Sequence, residues 1–314
     1  MYFYKKLQMK LLITGATGLV GSSIVKKALN EKIEVYFLTT NKNKITASKT
    51  LNGFYWNLED KYIDPKCFEG VDAIIHLAGA SISIKWTAAN KSEILESRID
   101  STNLLNKGIN EFAKETIKTF VGASAVGIYP SNFEVNYSEE TQIGPPENFL
   151  QEVVVKWEAA LNKLSSSVES FSKFRIGLVL SREGGVLPTL ALPIKLFIGA
   201  AFGTGKQWQS WIHIDDLSQM LLNAAKQNWQ GTFNAVAPNP VIQNELIASL
   251  GQTLSRPVFL PNLPNLLIRL VFGERSSLVL DSQKVSAKKV LAKGFVFQYD
   301  NLKLSLKALY FKKE

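Results

Sequence analysis

Short apolar runs alternate with stretches of helical period over the first 180 residues. The runs predict strands at 10–14, 34–38, 53–56, 73–77, 119–123 and 174–180, with helices at 22–30, 88–115 and 148–163. In the last helix Phe149, Leu150, Val153, Val154, Trp157, Ala160, Leu161 and Leu164 share one face. Continuous apolar strands separated by amphipathic helices read as a parallel sheet covered on both faces. After residue 180 the regularity ends: 184–205 is rich in Gly and Pro, and WIHIDDL then leads into a helix through Ala225. A short strand at 232–235 is expected to return to the sheet, and from Pro238 a mostly helical lobe follows, with Pro257, Pro261 and Pro264. The expected organisation is a dinucleotide-binding domain at 9–180, completed by 206–237, and a smaller lobe from 181–205 and 238–314.

The first strand runs into LLITGATGLVG, with Gly15, Gly18 and Gly21 three apart. One glycine permits a tight turn, one lets backbone approach a pyrophosphate, and one lets the helix pack on the strand. The helix N-terminus behind them offers amides and a positive dipole end to phosphate. The bland alternative is an ordinary strand–turn–helix corner. Two more strands end in small or hydroxyl residues: VDAIIHLAGA, and FVGASAVGIYP with Ser124 and Tyr129. In an open α/β sheet the carboxyl ends of the strands face the ligand crevice. Together these readings predict a Rossmann-type, doubly wound α/β fold.

The tail of the second strand, Thr39, Thr40, Asn41, Lys42, Asn43, Lys44, lacks the carboxylate that usually bonds the ribose 2′-hydroxyl of NAD. Nothing there repels a 2′-phosphate and two lysines can neutralise one, so NADP is favoured over NAD.

Composition narrows the partners. The 314 residues carry 46% hydrophobic and 20% charged side chains, which fits a folded globular chain. The net charge of +9 is scattered, in pairs such as Lys26–Lys27, Lys288–Lys289 and Lys312–Lys313. No basic–aromatic patch points to nucleic acid. One cysteine, Cys67, excludes an internal disulfide and fits a reducing compartment. Two histidines, His76 and His213, give no metal cluster. No stretch reaches the length of a membrane span. The amino-terminal apolar stretch is too short for a signal peptide, and Met9, directly before the first strand, is an alternative start. A cytoplasmic protein without membrane or nucleic-acid partners is the expectation.

The chain resembles the extended short-chain dehydrogenase/reductase superfamily, in its atypical epimerase-family branch that ends in a small domain of unknown function. The resemblance rests on a collinear set: TGATGLVG, HLAGASI, the stretch from Lys85 to Arg98, SAVGIY, KWEAA, RIGLVLSREGGVL, GTGKQWQSWIHIDDL, NAVAPNPV and FGERSSLVLDSQKV. It implies NADP held by Gly15, Thr17, Gly18, Leu19, Val20 and Gly21, and by Thr39, Thr40, Asn41 and Lys42. Leu77, Ala78 and Gly79 would border the adenine side, Glu93 and Arg98 would face the cofactor cleft, and Val179 would lie near the nicotinamide. Glu93 and Arg98 read equally as a solvated helical pair. The family often carries Arg where Thr40 stands. Its members also pair through the helices at 88–115 and 148–163, so a homodimer is possible.

The usual Tyr-x-x-x-Lys acid–base pair is missing. Tyr2/Lys6, Tyr62/Lys66 and Tyr299/Lys303 have the spacing but lie off the relevant helix, whose sequence FLQEVVVKWEAA holds no tyrosine. Substitute catalytic groups are Ser124, Tyr129 and Lys156, in a cleft bounded by Ser124, Gln207 and Trp211. Tyr129 reads alternatively as a packing residue and Lys156 as a surface lysine. His213 reads as structural, and Asp215/Asp216 as a helix cap. The functional expectation is an NADP-binding oxidoreductase or epimerase-like protein acting on a small molecule. The alternatives are a non-catalytic NADP-binding sensor and a nucleotide-sugar epimerase, although Ser210 and Trp211 stand where the latter often carries Arg.

Overall fold

Continuous Val/Ile/Leu runs become the central strands because both faces of the sheet are covered. The computed structural model describes residues 9–114 and 116–311. The expected helix end at Glu115, the Tyr2/Lys6 pair and Lys312–Lys313 fall outside these residues.

The first half contains β1 Lys10–Thr14, α1 Leu19–Asn30, β2 Glu34–Thr39, β3 Leu51–Asn57, β4 Tyr62–Ile63, β5 Ala73–His76, α2 Ala88–Phe112 and β6 Thr119–Ala125. Next come β7 Asn136–Tyr137, α3 Phe149–Asn162, β8 Ser170–Ile176 and β9 Leu178–Leu180. Then follow α4 Val186–Lys195, β10 Trp208–Gln209, β11 Trp211–His213, α5 Ile214–Lys226, β12 Gly231–Ala235, β13 Val241–Ile242 and α6 Gln243–Thr253. The chain closes with α7 Asn265–Phe272, α8 Ser277–Leu280, β14 Lys284–Val285, α9 Lys288–Ala292 and α10 Leu302–Phe311.

The main sheet has eight strands in the order β12-β8-β6-β5-β1-β2-β3-β4, parallel except for the antiparallel β3–β4 pair. The strand order changes direction between β1 and β5, which fixes the ligand crevice of a doubly wound sheet. One face packs Ile24 and Ala28 of α1 with Leu217, Met220 and Leu221 of α5. The other packs Leu104, Leu105 and Ile109 of α2 with Trp157 and Leu161 of α3. A third cluster joins Leu187, Leu190 and Ile194 of α4 to Leu246 and Leu250 of α6 and to Leu302 and Leu306 of α10.

Short strands such as β4 and β14 are not among the expected elements, and two further differences bear on the crevice. The run 174–180 is two strands. Gly177 N donates to Ala235 O, whereas Leu178 N donates to Ser210 O, so the chain leaves the main sheet there. β9 then pairs with β11. Helix α1 begins at Leu19 rather than Ser22, because the turn closed by Gly18 N on Gly15 O already sets the helical path.

His76 ties β1, β5 and α2 together. Thr14 Oγ1 accepts from Leu77 N and Ala78 N, each at 3.1 Å, so its own proton is directed to His76 Nδ1 at 2.7 Å. Thr102 Oγ1 donates to Arg98 O at 2.6 Å and therefore accepts from His76 Nε2 at 3.1 Å. That order fixes the neutral Nε2–H tautomer. Burial lowers the imidazole to about 3 from its ordinary 6.5.

The unfolded chain protonates His76 near pH 6.5, whereas the folded chain resists until about pH 3. This group's contribution to stability is thus complete above pH 6.5 and is lost as pH falls, by up to about 1.4 kcal/mol per unit. His76→Asn should be less stable than wild type at pH 7. The gap should narrow by about 2 kcal/mol at pH 4.5, read from urea midpoints at the two pH values.

Candidate functional site

β1 and β5 lie side by side at the reversal point, and the loops leaving them meet backbone to backbone. Gly15 adopts φ +68°, and a Cβ there would lie 2.9 Å from the Leu77 carbonyl carbon and oxygen. At Gly21 a Cβ would lie 2.2 Å from Gly15 O. No side chain fits either place. Gly18 is the residue before the first turn of α1 and brings no capping side chain, and the first turn holds no acid. The amides at Leu19 and Val20 and the exposed Thr17 therefore stand at a helix end that favours an anion. This bed fits a dinucleotide pyrophosphate.

Beyond β2, Thr39 Oγ1 accepts from Asn41 N at 3.1 Å, and Asn41 Oδ1 accepts from Asn43 N at 2.9 Å. The turn so formed leaves Thr40, Lys42 and Lys44 exposed, with the Lys42 ammonium 4.7 Å from the centre of the Tyr55 ring. On the opposite wall, Leu77 and Ala78 are held by Thr14, and Gly79 lies under Arg98: a Cβ on Gly79 would approach Arg98 Cγ at 3.1 Å. Val179 is half-buried in β9 opposite Ile212.

At the carboxyl ends of β6 and β8 lies a cavity of about 290 Å³. Its apolar wall comes from Val126, Val153, Val154, Trp157, Ile176 and Leu178. The carboxy-terminal part closes it with Ser277, Leu278, Asp281 and Gln283. Arg98 enters from α2, donates to Ile94 O at 2.7 Å and lies 5.2 Å from the Trp157 ring centre. Burial lowers its guanidinium to about 10. Asp281 is raised to about 6, first by burial and then by the charge of Glu147. Of the Glu93/Arg98 pair, the structure brings only Arg98 to the cavity; Glu93 is exposed.

The three expected catalytic side chains are not assembled around this cavity. Ser124 is buried and donates to Glu158 Oε1 at 2.7 Å; the cavity wall starts one residue later, at Ala125. Glu158 also receives Arg175 Nε at 2.9 Å, Arg175 Nη2 at 3.1 Å and Lys173 Nζ at 2.8 Å. Burial would raise its carboxyl, but Arg175 and Lys173 outweigh burial and hold it below the ordinary value. Tyr129 is fully buried, stacks on Tyr137 and accepts from Arg175 Nη1 at 2.9 Å. Its hydroxyl lies 2.8 Å from Asn234 Oδ1 and 3.0 Å from Ser138 O, and burial raises its pKa. Lys156 points to solvent and pairs with Glu152 at 2.6 Å. Gln207 and Trp211 do not bound the cleft either: Gln207 Nε2 donates to Phe202 O and Val279 O, and Trp211 Nε1 to Asn239 O.

His213 caps α5, its Nδ1 accepting from Asp215 N at 3.0 Å, and it stacks on Tyr299. Neither residue of the expected cap Asp215/Asp216 is the cap: both lie inside the first turn of α5, and Asp216 accepts from Gln298 N and Tyr299 N, which docks the last segment.

Sequence reasoning missed Glu158, Arg175 and Asp281. Arg175 in an apolar strand is a usable signal, since a buried guanidinium requires a counter-charge. Asp281 follows an irregular apolar stretch and gives no such sign.

Glu158→Gln should lower stability by about 3–5 kcal/mol, because it leaves two buried cations without their anion. Lys156→Ala should stay within about 0.5 kcal/mol of wild type, since its pair is exposed. Denaturant titration of both variants checks this.

The NAD dependent epimerase/dehydratase family matches residues 11–151, and a domain of unknown function, DUF1731, matches residues 263–309. Epimerase family protein SA0724 of Staphylococcus aureus is 36% identical over 302 residues, covering 95% of this chain and 98% of the relative. Epimerase family protein SH2119 of Staphylococcus haemolyticus is 37% identical over 306 residues, covering 96% and 98%. Among solved structures, human epimerase family protein SDR39U1 (isoform 2) with NADPH has a TM-score of 0.82 at 28% identity, covering 96% of this chain and 99% of that one. A nucleoside-diphosphate sugar epimerase from Corynebacterium glutamicum has a TM-score of 0.76 at 27% identity, covering 98% of this chain and 59% of that one. The chain belongs to the epimerase family of extended short-chain dehydrogenase/reductase folds, in the branch that ends in DUF1731.

Proposed function

We propose that this chain is an NADP-dependent oxidoreductase or epimerase-like enzyme acting on a small molecule bound in the cavity at the ends of β6 and β8. The carrying observation is the glycine bed at the β1–β5 reversal, beside a carboxylate-free turn with Lys42 and Lys44. The NADPH in the human relative's structure supports the choice of cofactor. When bound, that cofactor supplies hydride transfer; the residues of the chain bind and orient. The first turn of α1 takes the pyrophosphate, and Gly15 and Gly21 let it reach backbone amides. Lys42 and Lys44 neutralise the 2′-phosphate, with Thr40 and Asn41 beside them. Leu77, Ala78 and Gly79 form the flat wall, and Val179 flanks the nicotinamide end. The apolar cavity excludes water from the reacting atoms.

A second reading, an NADP-responsive binding protein, is favoured by one observation: Ser124 and Tyr129 are committed to the Glu158–Arg175 cluster. A broad panel of carbonyls and alcohols with NADPH or NADP separates the two, since turnover removes the second reading. Among the described residues no helix is long and apolar enough to cross a membrane. A cytoplasmic location and a homodimer paired across α2 and α3 belong to the same reading, the latter tested by light scattering.

Lys42→Glu combined with Lys44→Glu should weaken NADPH binding at least about tenfold, the loss of two charge-assisted contacts. NADH, which lacks the 2′-phosphate, should bind as before within about twofold. Calorimetric titration of both nucleotides decides, and an unchanged NADPH affinity removes the assigned phosphate site.

A further inference from the structure

The cavity wall carries two charged side chains whose opposite charges are not used on each other. Arg98 meets no carboxylate within ion-pair distance among the described residues, and one of its N–H groups is taken by Ile94 O. Asp281 accepts no hydrogen bond among the described residues, although it is half-buried in the cavity wall. No ion pair joins Asp281 to Arg98 among the described residues, so each charge is left for another partner.

Asp281 is nevertheless rigidly placed. Immediately after it, Ser282 N donates to Ser131 Oγ at 2.9 Å, Ser282 Oγ to Asn132 O at 3.0 Å, and Asn132 N to Ser282 O at 2.7 Å. Gln283 Nε2 donates to Tyr129 O at 2.8 Å, and Ser210 Oγ to Gln283 O at 2.7 Å. The polar groups on either side of the carboxylate are thus satisfied within the fold, while the carboxylate itself is left to the cavity. A charge partly withdrawn from water without a partner is costly, and a site that leaves two of opposite sign facing an apolar volume is complementary to a ligand that brings both counterparts.

We propose that the substrate is a small amphoteric molecule, with an apolar middle, an anionic group held by Arg98 and a hydrogen-bond-donating amine or hydroxyl held by Asp281. The proposal rests on the reading of this cavity as the substrate site. It makes the DUF1731 part of the chain a determinant of specificity, through a side chain that touches the ligand. Val153, Val154, Trp157 and Leu178 receive the apolar middle, and the guanidinium lies against Trp157 with its remaining donors toward the ligand.

4-(Aminomethyl)benzoate, 4-(hydroxymethyl)benzoate, benzoate and benzylamine serve as probes, titrated by calorimetry and ligand-observed NMR at pH 7.5 without nucleotide. Either two-ended probe should bind wild type at least about tenfold more tightly than both one-ended ones. Which of the two binds more tightly identifies the donor. Asp281→Asn should cost the preferred two-ended probe about tenfold and leave benzoate unchanged, whereas Arg98→Gln should do so for the carboxylate end and leave benzylamine unchanged. Equal binding of all four probes, no binding of either two-ended probe, or an Asp281→Asn protein that ranks the probes as wild type does overturns the proposal. NADPH titrated separately into the same three proteins reports on the cofactor reading, so failure of one is distinguishable from failure of the other.

Discussion

The backbone-to-backbone contact of Gly15 with Leu77, and of Gly21 with Gly15, is the constraint on which the cofactor bed depends. Two strands of a parallel sheet stand a fixed spacing apart, and a helix must return over them within a few residues. If either glycine carried a side chain, the α1 N-terminus would retreat from the crevice and its amides would point elsewhere. The hydroxyl of Thr14 reinforces the contact from below by holding Leu77 N and Ala78 N, and His76 keeps that hydroxyl oriented. A buried neutral imidazole thus serves the cofactor bed without touching it.

A second constraint lies on the other side of the crevice. In a superfamily whose chemistry usually comes from a tyrosine and a lysine on the helix after the Ser-bearing strand, this chain places Glu158 on that helix. One carboxylate there satisfies Ser124, Lys173 and Arg175 together, and Arg175 in turn holds Tyr129. The cluster knits α3, β6 and β8 into one unit, and Tyr129 extends it to Asn234 of β12. The hydroxyls that look catalytic in the sequence serve here to satisfy buried charge.

Much of the fold was legible because its signals are local. Strands β1, β2, β5 and β6 are near-continuous apolar runs, and the buried positions of α3 repeat at helical period. The glycine triplet is equally local, since the loop that it shapes runs only from Gly15 to Gly18, between β1 and α1. What escaped depends on contacts across the chain. The break at Gly177 is decided by Ser210 and Ala235, more than thirty residues away. Ser124 was read from its place at a strand end, but the side chain that claims it stands 34 residues later. Position along a strand tells which crevice a residue is near; it does not tell which buried charge needs its hydroxyl.

The carboxy-terminal segment shows why the cavity reading requires the whole chain. Val290, Phe295, Leu302 and Leu306 pack it into the core, and directed hydrogen bonds set its register: Ser282 with Ser131 and Asn132, Gln283 with Tyr129, and Ser210 with Gln283 and Val285. β14 adds a two-residue parallel pairing with β7, and Asp216 fixes Gln298 and Tyr299. Such bonds have strict geometry, so they set the position of the segment more sharply than apolar packing would. A wall built this way holds Asp281 at a defined place over the ends of β6 and β8. The nucleotide half alone would leave Arg98 and Trp157 facing open water, where an isolated guanidinium is screened and discriminates poorly. Enclosure by the second part lowers the local dielectric, and only then do the two separated charges select between ligands.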